Sequence, residues 1–409
     1  MTQPPPATEP AQSSPLQRHV PRAIWTLGFV SLFMDASSEL VHSLLPMFLV
    51  GSLGASATIV GVIDGIAEAL TPLVKTLSGL LSDYLGHRKW LAVAGYGLSA
   101  LSKPLFALAP TSGVVLAARI ADRTGKGIRG APRDALVADI TPPHLRGAAY
   151  GLRQALDTVG AFIGPLLAVV VMELSSDNFR LAFWLAGIPA LASVALLAAG
   201  IREPAATQRA PRVNPFARSS LAKLGGAYWW VVFIGAAFAL ARFSEAFLVL
   251  RAMKSGVPVA FVPLVLVAMN IVYALAAYPF GKLADSASHT KLLARGLLVL
   301  IAADIVLAHG AQWPVVLFGV LLWGLHMAMT QGLLATMVAQ TAPADLKGTA
   351  FGFFNLMSGV ALLIASVVAG QLWDRLGPQA TFYAGAAFAL LTLAALAAKG
   401  YVRHRADGS

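Results

Sequence analysis

The chain is dominated by long runs of apolar residues that alternate with short polar stretches. A helix needs about 20 mostly apolar residues to cross the hydrocarbon layer of a bilayer. Because lipid offers no partners for unpaired backbone groups, runs of this length are predicted to be helices. We number them as spans one to twelve, near residues 24–50, 57–81, 90–109, 112–139, 148–173, 180–200, 227–251, 258–281, 292–309, 314–340, 349–371 and 379–400. The pattern therefore predicts an all-α integral membrane protein with about twelve transmembrane helices.

Polar stretches divide these spans into two sets of six. Residues 1–23 are rich in Pro, Gln and Ser, which predicts a disordered N-terminal segment. Residues 24–200 are predicted to form an N-terminal six-helix bundle, and residues 227–400 a C-terminal one. The polar residues 201–226 between them are interpreted as a linker, and residues 401–409 as a short tail.

The loops differ in charge in an alternating order. Loops after even-numbered spans, together with the linker, carry most of the basic residues, whereas those after odd-numbered spans carry only Arg180, Lys254 and Arg375. Cytoplasmic loops of membrane proteins are enriched in Lys and Arg. Both termini, the linker and the tail are therefore predicted to be cytoplasmic, in a multi-pass protein of the bacterial inner membrane. The net charge of +11 is largely explained by this topology, so no nucleic-acid partner is expected.

The composition agrees with a surface that faces lipid. Charged residues make up 12% of the chain and hydrophobic residues 57%, whereas about a quarter of a soluble domain is charged. The chain has no Cys, which excludes disulfides and Cys-based metal sites. It also has no phosphate loop, His-x-x-x-His pair or Gly-x-Ser-x-Gly elbow. An enzyme is therefore not expected, and neither a cofactor nor a resident metal is predicted.

Three short motifs recur after about 200 residues, which indicates an internal duplication. Residues 79–89 match residues 281–291, and residues 141–151 match residues 341–352. The pair Ser38-Glu39 in span one is repeated as Ser244-Glu245 in span seven. Transporters are often built from two repeated halves of this kind. The two six-helix bundles are therefore predicted to be pseudo-symmetric.

The first of these motifs carries a family resemblance. Residues 79–89 are similar to the G-x-x-x-D-x-x-G-x-R-K signature between helices two and three of the major facilitator superfamily. The resemblance extends over nearly the whole chain and implies the fold of that superfamily. It also implies a cytoplasmic gate at this loop and at its repeat. The residues concerned are Gly79, Asp83, Gly86, Arg88, Lys89 and Asp285.

Spans four and five contain two further segments that compare with motifs of the superfamily. Residues 160–165 resemble the start of the G-x-x-x-G-P-x-x-G-G motif of its drug:proton antiporters, although Ala168 and Val169 replace the closing Gly pair. Small residues at this spacing also let two helices pack closely without any role in exchange. Span four, from Arg119 onward, is more basic than the Arg-x-x-x-Gly-x-Gly pattern of the family.

Charged side chains within the spans are candidates for proton coupling, because placing one in a bilayer costs at least about 2.5 kcal/mol. The candidates are Asp35, Glu39 and His42 on one face of span one, and Asp64 and Glu68 on one face of span two. Glu39 is the first choice as proton carrier, since Asp35 and His42 lie one turn away on either side. The alternative for span two is a static network of ion pairs that includes Lys75.

Polar residues in the later spans are candidates for substrate binding, since such residues tend to line a wet cavity. They are Arg119, Arg123 and Lys126 in span four, Arg153 and Asp157 in span five, Arg242 and Glu245 in span seven, Asn270 in span eight, His326 and Gln331 in span ten, and Asn355 in span eleven. The basic stripe of span four could either bind an anionic group or neutralise the carboxylates of spans one and two. His42 and His326 leave transport of a metal ion as a further alternative.

These features favour a proton-coupled secondary active transporter of a small organic solute, acting by alternating access. The resemblance at residues 160–165 favours efflux by antiport. The alternative is a proton symporter that imports a nutrient, an organic anion or a metal chelate. A non-transporting receptor is less favoured, because the linker is too short for a soluble output domain. The expected partners are a small-molecule substrate, protons and the lipid bilayer, and the chain is expected to act as a monomer.

Overall fold

The described part of the chain consists of helices and short connections. A computed structural model describes residues 20–202, 223–343 and 346–406. No strand is present among these residues. Most of the predicted N-terminal segment, most of the predicted linker, and residues 407–409 of the tail lie outside the described ranges.

Six long helices make up the first half. They are α1 (Arg22–Met47), α2 (Ala57–Leu85), α3 (Arg88–Leu108), α4 (Ser112–Ile140), α5 (Arg146–Leu174) and α6 (Phe179–Gly200). A short π-helical turn, Phe48–Ser52, extends α1, and the 3-10 turn Pro143–Leu145 precedes α5. These helices agree with spans one to six within a few residues.

The second half contains the remaining helices. They are α7 (Gly226–Ala241), α8 (Ala246–Lys254), α9 (Leu264–Ser286), α10 (His289–His309), α11 (Trp313–Thr341), α12 (Lys347–Leu376) and α13 (Pro378–Ala406). The 3-10 turn Val259–Phe261 precedes α9. Spans eight to twelve each correspond to one helix, but span seven is divided between α7 and α8.

Span seven is broken at residues 242–245, where the apolar pattern predicts one continuous helix. The Ser244 N–H donates to Ser366 Oγ of α12 at 3.2 Å, and Ser244 Oγ accepts a hydrogen bond from the Ala246 N–H at 3.1 Å. Non-helical backbone inside a membrane protein requires such partners. Contacts with α12 therefore support a break that the local sequence does not signal.

Eleven helical segments of the described chain are long and apolar enough to cross a membrane, with α7 and α8 counted together. Helix α4 is not among them, because it carries charged residues such as Arg119, Asp122 and Arg123, which are buried in the protein. It is nevertheless 29 residues long, as is α2, and it packs against both α2 and α3. With α4 included, the prediction of about twelve transmembrane helices is confirmed.

Equivalent helices pack together in the two halves. In the first bundle (α1–α6), α1 packs against α5 and α6, and α4 packs against α2 and α3. In the second bundle (α7–α13), α7 packs against α12 and α13, and α11 packs against α9 and α10. The first helix of each bundle thus contacts the fifth and sixth, and the fourth contacts the second and third. This arrangement confirms two pseudo-symmetric six-helix bundles.

The small residues of span five have a packing role within the first bundle. At Gly160 and Gly164, α5 approaches α1 so closely that a side chain would collide with it. A Cβ atom at Gly164 would lie 2.6 Å from the Ala36 carbonyl oxygen. Close helix approach through small residues is common in membrane proteins. The glycines of this motif therefore have a packing role between α1 and α5.

The two bundles meet most extensively along α2 and α12. We call the end of the molecule with the α2–α3 connection, residues 86–87, the basic end, and the end with the α1–α2 connection, residues 53–56, the opposite end. A Cβ atom at Gly359 of α12 would lie 3.1 Å from Ala69 Cα, near the middle of α2. The close contact continues from there to Gly370, toward the opposite end.

Asp374 of α12 joins the two bundles at the opposite end. Its Oδ1 and Oδ2 accept hydrogen bonds from the Ala57 and Thr58 N–H groups, both at 2.9 Å, and Thr58 Oγ1 donates to Oδ2 at 2.6 Å. The free N–H groups and the dipole at the start of a helix favour an anionic side chain there. Asp374 therefore holds the two bundles together at the opposite end, and this contact must break if they separate there.

Candidate functional site

A cavity of about 730 Å³ lies between the two bundles. Its wall in the first bundle includes Glu39, His42, Asp64, Glu68, Arg123 and Lys126, and its wall in the second bundle includes Phe238, Arg242, Glu245, Asn270, Gln331 and Asn355. Gln331 and Ala335 are exposed where the wall reaches toward the basic end. A cavity of this size holds a small organic molecule.

His42 lies between two carboxylates at the cavity wall. Its Nδ1 is 3.2 Å from Glu39 Oε2, one turn earlier on α1, and its Nε2 is 3.7 Å from Asp64 Oδ2 on α2. An imidazole can donate a proton at one ring nitrogen and accept one at the other, and a carboxylate can accept one. The Glu39 side chain is 22% exposed, so it is accessible from the cavity. These three groups can therefore hold and pass a proton that arrives from the cavity.

Asp64 connects this cluster to the second bundle. Its Oδ1 accepts a hydrogen bond from Arg119 of α4 at 2.8 Å, and its Oδ2 accepts one from the Ser244 hydroxyl in the break between α7 and α8. In the sequence, Ser244 appears only as part of a repeated Ser-Glu pair, which gives no sign that it reaches the other bundle. A change of charge at His42 or Asp64 therefore acts directly on a contact between the bundles.

The basic stripe of α4 mainly neutralises carboxylates. Arg119 pairs with Asp64 at 2.8 Å, Arg123 with Glu68 at 3.7 Å, Arg129 with Asp35 at 3.6 Å and Arg133 with Asp157 at 3.7 Å. Of the two roles that the sequence left open, neutralisation thus accounts for these arginines. Lys126 differs from them, because it lines the cavity and has no ion-pair partner within 4 Å among the described residues.

The residues of the static network considered for span two, Asp64, Glu68 and Lys75, all pair with α4 and not with one another. Lys75 Nζ pairs with Asp134 Oδ2 of α4 at 3.1 Å rather than with the carboxylates of its own helix.

A different pair is fully enclosed in the first bundle: Lys103 Nζ of α3 lies 2.9 Å from Asp122 Oδ1 of α4. Lys103 also donates to Ser38 Oγ at 3.3 Å. Because the Lys103–Asp122 pair is not part of the cavity wall, we assign it to the packing of the bundle.

Neutral polar and aromatic side chains dominate the second-bundle wall. Three carboxamides line it, those of Asn270, Gln331 and Asn355. No hydrogen bond to these carboxamides is formed within the described residues. Phe238 and Phe354 add aromatic rings, and Arg242 pairs with Glu245 at 3.3 Å across the helix break. This wall can therefore hydrogen-bond to a solute and pack against its rings.

Four predicted substrate residues do not belong to the cavity wall: Arg119, Arg153, Asp157 and His326. Arg119 is held behind Asp64, and Arg153 pairs with Asp157 at 3.5 Å on α5. His326 is fully buried, with its Nδ1 2.9 Å from the Gly296 carbonyl oxygen and its ring against Phe238. The predicted proton residue Asp35 also lies off the wall, paired with Arg129. Helical spacing cannot distinguish the interior of a bundle from a cavity, which explains these differences.

The predicted gate loop is fixed by contacts of its two basic residues. Arg88 pairs with Asp83 at 3.3 Å and with Asp139, at the end of α4, at 2.7 Å. Lys89 Nζ donates to the Ala198 carbonyl oxygen of α6 at 2.7 Å. These contacts tie the loop to α4 and α6 of the first bundle.

The glycines of the same motif shape the end of α2. Gly86 has a left-handed backbone with φ 69°, which ends the helix without strain because Gly lacks a Cβ. A Cβ atom at Gly79 would lie 3.3 Å from Ala131 Cβ of α4. Asp285, in the repeat, lies near the end of α9, but its side chain is outside the described part of the structure. Its role in a gate stays a prediction.

A second group of buried polar atoms lies inside the second bundle. Asp304 of α10 is completely buried, and neither of its carboxylate oxygens has a hydrogen-bond partner within the described residues. The same holds for Trp323 Nε1 and His326 Nε2 of α11. Phe243, from the break in span seven, packs against Trp323 with 5.3 Å between ring centroids. This group therefore lies behind the break and not on the cavity wall.

The two histidines that left transport of a metal ion as an alternative are not close neighbours of one another. Among the described residues, no cluster of three or more His, Asp or Glu side chains is suited to hold a metal ion. His42 and His326, which left that alternative open, lie in different surroundings: His42 is on the cavity wall, whereas His326 is buried in the second bundle.

The sequence matches the family model described as Major Facilitator Superfamily over residues 27–365 and again over residues 232–407. It is 29% identical over 383 residues to the uncharacterised MFS-type transporter MJ1317 of Methanocaldococcus jannaschii, which covers 92% of this chain and 94% of that protein. It is 22% identical over 365 residues to the quinolone resistance protein NorA of Staphylococcus aureus, covering 86% of this chain and 90% of NorA.

The fold is also similar to a solved structure. The nucleoside transporter NupG superposes with a TM-score of 0.78 over 92% of this chain and 99% of NupG, at 13% sequence identity. At this identity the likeness concerns the fold alone. Given the family match over most of the sequence and the two pseudo-symmetric six-helix bundles around a central cavity, the chain belongs to the major facilitator superfamily.

Proposed function

We propose that this chain is a proton-coupled secondary active transporter of a small organic solute, acting by alternating access. One observation carries the proposal, the series of contacts from Glu39 to His42, from His42 to Asp64, and from Asp64 to Ser244 in the other bundle. A proton shifts an equilibrium between two conformations only if it interacts differently with each. A titratable cluster that faces the cavity and bonds across the bundle interface supplies that difference.

In this proposal Glu39 exchanges protons with water in the cavity. A proton on Glu39 removes the negative charge that holds His42 Nδ1, so the imidazole turns toward Asp64. In the structure, His42 Nε2 lies 3.7 Å from Asp64 Oδ2. After the imidazole has turned, it competes with the Ser244 hydroxyl for that oxygen. Weakening of the Asp64–Ser244 bond releases the break in span seven from the first bundle. Protonation thereby favours the conformation in which the opposite end is open.

We also propose that the basic end faces the cytoplasm of a bacterial inner membrane and that the protein acts as a monomer. The concentration of Lys and Arg in the loops of that end supports the orientation. In this orientation the exposed Gln331 and Ala335 mark a cytoplasmic mouth of the cavity, and the Asp374 contact closes the periplasmic side.

Two directions of transport are compatible with this coupling. Efflux by antiport is supported by the antiporter-like residues 160–165 and by the relative NorA, a quinolone resistance protein. The packing role of Gly160 and Gly164 weakens the first of these supports. Proton symport is supported by Lys126, because an anionic solute held by this ammonium and a proton near Glu39 attract each other.

Proton movement in reconstituted vesicles tests both the coupling and its sign. Proteoliposomes that contain the pH dye pyranine are loaded with a solute found by thermal-shift screening, with K⁺ and valinomycin on both sides to hold the membrane potential at zero. As the solute leaves down its gradient, antiport acidifies the lumen and symport makes it alkaline, whichever way the protein is inserted. Solute movement with no change of lumenal pH would contradict proton coupling.

A further inference from the structure

Lys126 is the cation of the α4 stripe that has no carboxylate partner among the described residues. The four arginines of the stripe each lie within 4 Å of a carboxylate oxygen. No carboxylate of the described residues comes within that distance of Lys126 Nζ. An unpaired ammonium near the middle of a membrane-spanning helix is costly, and such groups face a wet cavity or a ligand. Lys126 does line the cavity between the bundles.

The carboxylates nearest to Lys126 have closer basic partners. Asp35, Glu39 and Asp157 interact with it electrostatically from beyond ion-pair distance. Each has a closer partner: Asp35 has Arg129 at 3.6 Å, Glu39 has His42 at 3.2 Å, and Asp157 has Arg153 at 3.5 Å. The positive charge of Lys126 is therefore left available to a solute in the cavity.

The two glycines that flank Lys126 fix the side of α4 on which it lies. A Cβ atom at Gly125 would lie 2.8 Å from the Ser99 backbone nitrogen of α3, and one at Gly127 would lie 3.0 Å from the Thr71 carbonyl oxygen of α2. Helix α4 is thus in close contact with its neighbours on both sides of Lys126. These contacts leave the side of α4 that carries Lys126 toward the cavity.

The cavity wall of the second bundle, which faces Lys126, offers contacts for the uncharged part of a solute. The carboxamides of Asn270, Gln331 and Asn355 are without hydrogen bonds within the described residues, and so is the Ser358 hydroxyl. Aromatic rings of Phe238, Phe351 and Phe354 lie on the same wall. Free amides bind neutral polar groups, and rings pack against rings. This wall therefore suits a body that carries both a ring and polar substituents.

We propose that Lys126 binds the anionic group of the substrate, and that the transported solutes are amphipathic organic anions with a carboxylate or a similar group on a ring-bearing body. The proposal rests on the proposed function in taking this cavity as the transport site. An ammonium donates charge-assisted hydrogen bonds to such an anion, which are stronger than those between neutral groups. All four acids of the wall have a basic side chain as partner. Asp64, Glu68 and Glu245 each pair with an arginine. Glu39 lies 3.2 Å from His42 Nδ1.

Matched sets of compounds test the charge preference without any transport assay. Each set shares one body and differs in charge: phenylacetate, phenylacetamide and phenethylamine; indole acetate, indole acetamide and tryptamine; and cinnamate, cinnamamide and cinnamylamine. Binding to the purified full chain in nanodiscs is measured by isothermal titration calorimetry. We expect the carboxylate of at least one set to bind more tightly than its amide and its amine.

Substitutions then assign that preference to Lys126. Lys126→Gln is expected to weaken carboxylate binding about 10- to 100-fold, the effect of losing a hydrogen bond to a charged group, and to leave amide binding unchanged. Lys126→Arg keeps the charge and is expected to retain the preference. Lys282→Gln, which removes an exposed lysine of α9 outside the cavity wall, is the control for net charge and is expected to bind as the unmodified protein does.

The possible outcomes separate this proposal from the proposed function. A panel in which no carboxylate binds more tightly than its amide and amine overturns the anion site, as does a carboxylate preference that survives in Lys126→Gln. Anion binding at Lys126 without solute-driven proton movement would support the anion site and contradict proton coupling. Proton movement driven by an amine and not by its carboxylate would support proton coupling and contradict the anion site.

Discussion

Ser244 donates the hydrogen bond that links the Glu39–His42–Asp64 cluster to the second bundle. Ser244→Ala removes this bond to Asp64, and a hydrogen bond to a charged group contributes about 1.5–3 kcal/mol. We expect the conformational equilibrium to shift at least about tenfold toward the state with the opposite end open. Because the chain has no Cys, spin labels at Ser52→Cys and Arg375→Cys, both exposed at that end, report the change by double electron–electron resonance.

A buried hydroxyl that bonds within one bundle is the control for this experiment. Ser193 Oγ donates to the Val30 carbonyl oxygen at 2.7 Å, and both residues belong to the first bundle. Ser193→Ala is expected to leave the distance distribution between the two labels unchanged. A distribution for Ser244→Ala that matches the unmodified protein would disprove the role of the interbundle bond.

Asp304 and Asp122 are both buried but differ in partners, which gives a matched pair of substitutions. Asp122→Asn leaves Lys103 as an uncompensated buried charge, so the free energy of unfolding is expected to fall by about 3–5 kcal/mol. Asp304 has no partner within the described residues, and an unpaired charge in such surroundings is costly. We expect Asp304→Asn to keep or raise the melting temperature and Asp122→Asn to lower it, as measured by thermal unfolding in detergent. Equal falls in the melting temperature of both variants would contradict the view that Asp122 has a stabilising partner and Asp304 has none.

Single-helix geometry predicts some of these residue contacts and not others. The i, i+3 spacing of Glu39 and His42 placed them on one face of a helix, and the structure has them 3.2 Å apart. Which helix supplies the next partner depends on how helices pack against each other. For that reason the sequence could not assign Asp64 to Arg119, or show that Ser244 reaches it from the other bundle.

Closure of the opposite end depends on how closely α2 and α12 approach each other. At Gly370, a Cβ atom would lie 2.5 Å from Thr58 Cα and 2.6 Å from the Ala57 carbonyl oxygen, both backbone atoms that cannot easily move aside. Gly370→Val is therefore expected to prevent closure and to lengthen the distance between labels at Ser52→Cys and Arg375→Cys.

The control for the Gly370 substitution is a glycine with free space around it. Gly187 of α6 has no atom within 4 Å of the position that a Cβ would take. Gly187→Val adds the same apolar volume to a helix without touching the interface, so it should leave the label distance unchanged. If Gly370→Val also leaves that distance unchanged, the α2–α12 contact does not control closure.

Most helices could be predicted from the sequence because apolar length is a strong signal in membrane proteins. Helix α4 was predicted as span four despite its charges, but the partners of those charges required the structure, because they are spread over α1, α2, α3 and α5. The break at residues 242–245 depends on Ser366 of another helix, so no local pattern marks it.

At the scale of the whole molecule, the bundles are alike in packing but differ in chemistry. Ion pairs with α4 fill the first bundle, whereas the second presents carboxamides and aromatic rings to the cavity. This asymmetry could be predicted from the distribution of charges along the chain. The composition of the cavity wall could not, because it depends on the relative position of two bundles that are far apart in sequence. Asp35 and His326 show this, since both were predicted at the site and both lie off its wall.

Solute-driven proton movement in Glu39→Gln vesicles is the most direct test of proton coupling through the Glu39–His42–Asp64 cluster. Glu173→Gln, at an exposed glutamate near the end of α5, is the matched control. We expect the unmodified protein and Glu173→Gln to change lumenal pH as solute leaves. Glu39→Gln should abolish that change yet still exchange labelled for unlabelled solute at equal concentrations. Unchanged proton movement in Glu39→Gln would contradict the account.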